Sequence, residues 1–112
     1  MFEIHISDAA KRDLINNVDW WSENRSADEA ERWYVAILES IYSLEQMPER
    51  CPLAREAEAL GIELHNLWFG LSGKHTHRTL FTISSTNVNV LRVLSTRREN
   101  KNLNLDENVN RS

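Results

Sequence analysis

The stretch that decides the fold runs from His77 to Asn100 and reads HRTLFTISSTNVNVLRVLSTRREN. Residues rich in β-branched and aromatic side chains lie on both sides of a short polar turn, and this pattern predicts a hairpin of two adjacent strands. The stretch also contains four arginines, which are Arg78, Arg92, Arg97 and Arg98. Because a guanidinium in or beside a strand needs partners or water, these arginines are the first candidates for a functional role.

The register of this hairpin determines which arginines share a face of the sheet. A two-residue turn at Ser85-Thr86 would put Arg78 on the same face as Arg97. A three-residue loop, 84–86, would instead put Arg78 on the same face as Arg92 and Arg98. A slip of one residue therefore decides whether the hairpin holds a phosphate-sized cationic cleft, and the sequence leaves both registers open.

The composition limits the class of protein. A chain of 112 residues with 41% hydrophobic residues and four tryptophans predicts one domain with one core. The net charge of −4 argues against nucleic-acid binding by bulk electrostatics and leaves a local basic patch near residues 92–101. The single Cys51 excludes an internal disulfide, and no apolar run predicts a signal peptide or a membrane span. We therefore expect a cytoplasmic protein.

The first half of the chain predicts a short strand followed by two helices. Alternating apolar residues over 2–6 predict the strand, and Ser7 or Asp8 then provides the N-cap of an amphipathic helix that ends within 22–25. Ser26 and Glu29 form a capping box that begins the second helix, and its wide apolar stripe predicts that it continues to about Met47. The short connection predicts an antiparallel helical hairpin.

One side of this hairpin should pack on a sheet, and part of the other side should be free for a partner. The aromatic residues Trp20, Trp33 and Tyr34 are the candidates for such a partner surface. The alternative is that they stack on one another between the two helices, as aromatic residues commonly do in cores.

The second half of the chain predicts a covering loop and three strands. Two prolines within 47–60 indicate the loop, and alternation over 63–71 predicts a strand that leads into the hairpin. The whole order predicts an α+β domain, residues 1–100, with the helical hairpin packed on a small antiparallel β-sheet. Residues 101–112 form a polar C-terminal tail, which we expect to be flexible unless a partner orders it.

Five pieces of the sequence, taken in order, resemble the RelE/ParE superfamily of bacterial type II toxin–antitoxin toxins. They are the helix start SDAAKRDL (7–14), the boundary SLEQMP (43–48), ELH (63–65), HRTLFTI (77–83) and VLRVLSTRR (90–98). The resemblance covers residues 2–100. It implies a small toxin that is neutralised by a cognate antitoxin, which would wrap the helical hairpin and the sheet in a hetero-oligomer.

RelE-like members of this superfamily cleave mRNA, usually on the ribosome. The resemblance places Arg78 and Arg98 where such enzymes carry two arginines that would stabilise the phosphorane. The lysines of several members fall here on Phe69 and Leu71, and neither tyrosine nor histidine follows Arg98. A compensating catalytic base would have to be a histidine, for which His65 is our candidate, with His75 and His77 as further possibilities.

ParE-like members inhibit DNA gyrase and need only a binding surface. The acidic net charge and the missing acid/base residues favour this function over RNA cleavage, so whether the protein is an enzyme stays open. The expected partner-binding residues are Trp20, Trp33, Tyr34, Arg92 and Arg97. A third possibility is a homologue that binds an antitoxin without being toxic.

Two further alternatives concern the charged and titratable residues. Arg78 and Arg98 could form ion pairs with acidic groups of the antitoxin, or with Glu63 and Glu99, instead of acting in catalysis. His75 and His77 have no cysteine or carboxylate at ligand spacing, so the sequence predicts neither a metal site nor a cofactor.

Overall fold

The computed structural model describes residues 1–96, which form three helices and four strands. The elements in chain order are β1 (Glu3–Ile6), α1 (Asp8–Asn24), α2 (Ala27–Tyr42), α3 (Ala57–Leu60), β2 (His65–Phe69), β3 (His77–Ile83) and β4 (Asn87–Ser95). Short 3₁₀ turns lie between α2 and α3, at Ser43–Glu45 and Pro48–Arg50. Arg97, Arg98 and the polar tail lie outside the described residues.

Both predicted helix starts are confirmed by their caps. The Ser7 hydroxyl accepts the backbone N–H of Ala10 at 3.0 Å, and the Ser26 hydroxyl accepts that of Glu29 at 3.1 Å. These bonds satisfy N–H groups that have no partner within the helix. The second helix ends at Tyr42 rather than near Met47. Beyond Tyr42 the chain tightens into the 3₁₀ turn Ser43–Glu45, and the backbone is extended at Gln46, before the positive φ of 48° at Met47.

The strands form one sheet in the order β1-β4-β3-β2. The pairs β2–β3 and β3–β4 are antiparallel, as predicted, but β1 lies parallel to β4. The sheet is therefore mixed rather than wholly antiparallel. The α1–α2 hairpin and two further strands separate β1 from β4, so no tight turn forces these two strands to run in opposite directions.

The β3–β4 hairpin combines a two-residue turn with a β-bulge. Ser84 donates its N–H to the Asn87 carbonyl at 2.8 Å, which leaves Ser85 and Thr86 as the turn. Further along, Phe81 pairs with Val90 whereas Leu80 pairs with Arg92, so Leu91 is the extra residue of a bulge. The turn is therefore the shorter of the two predicted loops, but the bulge shifts the pairing beyond it to that expected for the longer loop. Leu80, which shares a face of β3 with Arg78, lies opposite Arg92, and Arg78 itself lies opposite Leu94. Neither predicted register is right as stated, because each tied its loop length to the wrong pairing.

The core lies between the helical hairpin and one face of the sheet. Its largest members are fully buried and come from both layers; they are Trp33, Ile37, Ile41, Phe81, Val88, Val90 and Val93. A smaller cluster on the opposite face consists of Ala54 and Ala57, which come from the segment that contains α3, together with Leu64 and Leu80. The covering loop predicted for 47–60 thus closes the second face of the sheet. Within residues 1–96, no helix is long and apolar enough to cross a membrane.

Candidate functional site

Arg78 lies at the centre of a buried polar cluster on the face of the sheet away from α1 and α2. Its side chain is 1% exposed. One terminal nitrogen donates to Glu56 Oε1 at 3.1 Å and to Asn66 Oδ1 at 2.9 Å, and the other donates to Glu56 Oε2. Arg78 and Glu56 thus form a two-point ion pair, which joins β3 to the residue before α3.

The carboxylate of Glu56 is held in its ionised form. Burial alone would raise its pKa, but hydrogen bonds from Arg78 and from the backbone, together with the charges of Arg78 and Arg55, lower the pKa overall. Arg55 Nε lies 3.4 Å from Glu56 Oε2 on the solvent side. The cluster therefore contains a negative charge directly beside the guanidinium of Arg78.

His65 is buried on the opposite face of the sheet from Arg78. Its Nδ1 donates to the Cys51 carbonyl at 2.8 Å, and its ring stacks on Phe81 with the centroids 5.4 Å apart. Arg78 instead bonds to Asn66, the residue next to His65 on β2, and successive strand side chains point to opposite faces.

Burial raises the pKa of the Cys51 thiol, although Arg50 nearby opposes this, so Cys51 is not an activated nucleophile.

The other two candidate histidines differ in exposure. His77 is buried; its Nε2 lies 2.9 Å from Asn17 Oδ1, its Nδ1 lies 2.8 Å from Thr76 Oγ1, and its ring is 5.0 Å from that of Trp33. His75 is exposed and stacks on Trp68 at a centroid distance of 5.1 Å. Neither lies in a group of three potential metal ligands within residues 1–96.

The candidate partner-binding residues have different environments. Trp33 is completely buried against the sheet, as in the alternative that places it in the core, so a partner could contact it only if the core opened. Its role in partner binding stays a prediction. Tyr34 is 40% exposed, and Trp20 is half-buried with its ring against Trp21. Arg97 lies outside the described residues, as does the catalytic candidate Arg98.

Arg92 forms a second intramolecular ion pair. Its Nε and one terminal nitrogen donate to the two carboxylate oxygens of Asp13 at 2.7 and 2.9 Å. Asp13 also accepts the backbone N–H of Val93 at 2.9 Å. This pair fixes α1 against β4, so a partner that used Arg92 would have to compete with Asp13.

Sequence reasoning missed the polar side chains that bind the two arginines. Glu56, Asn66 and Asp13 each complete an ion pair or a buried hydrogen bond. The sequence indicated only that such partners must exist, because a strand arginine that becomes buried needs a carboxylate within reach. With seventeen acidic residues in the chain, that signal could not select Glu56 or Asp13.

These features define a class of protein: a small α+β domain with a helical hairpin on one face of a four-stranded sheet and a strand arginine locked on the other. The family described as "ParE toxin of type II toxin-antitoxin system, parDE" matches residues 4–100. The chain therefore belongs to the ParE toxin family of type II toxin–antitoxin systems.

A solved structure has the same fold. It is a chain of the chromosomal ParDE TA system from P. aeruginosa, 18% identical, with a TM-score of 0.69 over 85% of this chain and 96% of that chain. At this identity the likeness establishes the fold alone. No curated protein matches the sequence.

Proposed function

We propose that this protein is a toxin that is neutralised by a cognate antitoxin and that arrests growth by binding to DNA gyrase, without catalysing a reaction. Membership of the ParE toxin family supports the assignment to a type II toxin–antitoxin system with an antitoxin partner. The choice between gyrase binding and RNA cleavage rests on the state of Arg78, which is the residue that RNA cleavage would need most.

The buried ion pair between Arg78 and Glu56 is the observation that supports gyrase binding over RNA cleavage. A phosphate could reach the guanidinium only by displacing an ionised carboxylate that bonds to it at two points. The carboxylate would also repel the negative charge of the phosphate, and its lowered pKa keeps it charged at neutral pH. This arrangement supports a role for Arg78 in stabilising the fold rather than a transition state.

The position of His65 supports the same conclusion. A nuclease needs its base and its cationic donor around one reacting phosphate, within hydrogen-bond reach of the atoms they act on. His65 and Arg78 are both buried and leave the sheet on opposite faces. The overall charge of −4 adds no attraction for RNA.

A supercoiling assay with purified gyrase and relaxed plasmid tests the proposal. We expect micromolar toxin to abolish supercoiling and the cognate antitoxin, added first, to restore it. The same toxin should leave mRNA intact in a translating extract. Full supercoiling at micromolar excess, together with mRNA fragments that end within translated codons, would overturn the proposal in favour of RNA cleavage.

Expression in cells separates a toxin from a non-toxic homologue. Induction without the antitoxin should stop growth, and co-expression of the antitoxin should prevent the arrest. If induction is harmless while the folded protein accumulates and binds the antitoxin, both toxin mechanisms fail.

A further inference from the structure

The segment that leads into β2 forms a loop whose two ends meet. The backbone N–H of Ala54 donates to the Leu64 carbonyl at 2.7 Å, and Asn66 donates its N–H to the Pro52 carbonyl at 2.9 Å. Ala54 and Leu64 are both buried, so they form a fixed base. We call residues 55–63, which include α3 and project from this base, the flap. A loop of this length with adjacent ends is an Ω-loop, a class of loop that is often functional.

The flap is self-contained along its backbone. The N–H groups of Ala57, Leu60, Gly61 and Ile62 donate to carbonyls of residues 54–58 at 2.9–3.3 Å. Among residues 1–96, no backbone hydrogen bond joins the flap to the sheet. Within this part of the chain, the flap can therefore move away from the sheet as a unit without breaking a backbone hydrogen bond.

Little apolar surface holds the flap against the sheet. Ala57 is its one buried residue, at 7% exposed, and Ile62 is half-buried against the same small cluster. Apart from Glu56, which is also half-buried, the other flap residues are exposed; they are Arg55, Glu58, Ala59, Leu60, Gly61 and Glu63. Because hydrophobic stabilisation scales with the buried apolar area, packing holds the flap less firmly than it holds the α1–α2 hairpin.

The strongest attachment of the flap to the sheet is polar. Both carboxylate oxygens of Glu56 accept hydrogen bonds from the terminal nitrogens of Arg78, that of Oε1 at 3.1 Å. Arg78 lies on β3 and is 1% exposed, so this ion pair joins the flap to the interior of the sheet. A bidentate pair of this kind has a fixed geometry and holds the two elements in one relative position.

We propose that the flap opens as a unit about its base while the rest of the domain stays folded, and that the ion pair between Glu56 and Arg78 holds it closed. Local openings of this kind cost less free energy than unfolding of the domain, because they expose only part of the core. Opening removes Glu56 from Arg78, so the flap controls the access of acidic groups of other molecules to this arginine.

Thiol labelling of the full chain tests this proposal. In a Cys51→Ala background, the variant Ala57→Cys reports opening of the flap, and Ala30→Cys, 3% exposed on the core side of α2, reports unfolding of the domain. The two variants are matched, since each adds one sulfur atom at a buried alanine. Ala57→Cys should react at least about tenfold faster with a thiol reagent, at a rate nearly independent of urea below the unfolding transition. Equal rates with the same urea dependence would overturn the proposal.

Two further substitutions separate the ion pair from general stability. Glu56→Gln should speed the labelling of Ala57→Cys by at least about tenfold, because the closed flap loses its charged contact. Asp13→Ala should speed the labelling of Ala30→Cys alone, because Asp13 binds β4 whether the flap is open or closed. Equal acceleration of both reporters by Asp13→Ala would show that the flap does not open by itself.

Hydrogen exchange gives the same comparison in the unsubstituted chain. An open flap of nine residues is too short to keep its helical turn, so the N–H groups of Ala57 and Gly61 exchange whenever it opens. They should exchange at least about tenfold faster than the paired N–H groups of β3. Protection equal to that of β3 would overturn the proposal. Neither gyrase nor an antitoxin is present in these measurements, so failure here is distinguishable from failure of the proposed function.

Discussion

At the scale of single residues, the role of Arg78 follows from its partners. An ion that is removed from water is costly unless a counter-ion and further hydrogen bonds replace the solvent. Glu56 and Asn66 do so here, at 3.1 and 2.9 Å from one terminal nitrogen of Arg78. Loss of one partner should therefore be more damaging than replacement of the whole cluster, because it leaves a buried charge uncompensated.

Glu56→Gln should lower the free energy of unfolding by about 2–3 kcal/mol, because Arg78 loses its counter-ion. The triple variant Glu56→Leu/Asn66→Leu/Arg78→Met should have a free energy of unfolding within about 1 kcal/mol of that of the wild type, since it leaves no buried charge without a counter-ion. Urea denaturation gives both values, with Glu63→Gln, an exposed carboxylate, as the control. A triple variant that folds and yet no longer arrests growth would mean that Arg78 acts directly in toxicity.

The lowered pKa of Glu56 predicts an acid-dependent loss of stability. The unfolded chain takes up the proton near the ordinary value of 4.5, at a higher pH than the folded chain does. The stabilisation is therefore fully present above about pH 4.5 and is lost as the pH falls through the lower folded-state pKa. Urea unfolding between pH 7 and pH 3 should show a steeper decline for the wild type than for Glu56→Gln. Parallel curves would contradict this origin of the stabilisation.

At the scale of elements, side chains at the start of α1 bond to the part of β4 that β1 does not reach. β1 pairs with β4 as far as Val90, and the Ser7 side chain then donates to the Leu91 carbonyl at 2.9 Å. Asp13, one and a half turns into α1, accepts the next outward N–H, that of Val93, and also binds Arg92. The bulge at Leu91 lies between these two contacts, so α1 and the bulge are fixed together.

Asp13→Ala should lower the free energy of unfolding by about 2–3 kcal/mol, because it removes three hydrogen bonds, two of them to a guanidinium. Asp13→Asn should lower it less, since the amide oxygen can still accept from Val93. Asp19→Ala, on an exposed face of the same helix, is the matched control and should change stability by less than about 0.5 kcal/mol. Thermal or urea unfolding measures all three, and equal losses for Asp13→Ala and Asp19→Ala would refute the role of Asp13.

At the scale of the whole molecule, the sheet is covered on both faces by different parts of the chain. The helical hairpin covers one face with the large core, and the segment around α3 covers the other with a smaller cluster. The buried residues of both clusters lie between Ala10 and Val93, and the family match ends at residue 100. The toxin domain should therefore be contained within residues 1–100.

A chain that ends at Asn100 should keep the circular dichroism spectrum of the full chain, with a Tm within about 3 °C of it. A chain that ends at Asn89 should not fold, because it lacks Val90 and Val93, which are buried in the core. Thermal melts of the three chains provide the comparison. A large fall in Tm for the chain ending at Asn100 would place residues 101–112 within the folded domain.

The elements that were predicted correctly depend on residues close together in sequence. The caps at Ser7 and Ser26 join residues three apart. Period-two and helical patterns likewise act within a few residues, so the α+β order and the resemblance to the superfamily could be recognised from the sequence alone.

The properties that only the tertiary structure decided depend on residues far apart. Arg78 and Glu56 are 22 residues apart, and Arg92 and Asp13 are 79 apart. The parallel direction of β1, the bulge at Leu91 and the complete burial of Trp33 also follow from how the elements meet. A local pattern determines which face of an element is apolar, but the neighbour of that face, and hence the partner of each arginine, is set by the packing of the whole chain.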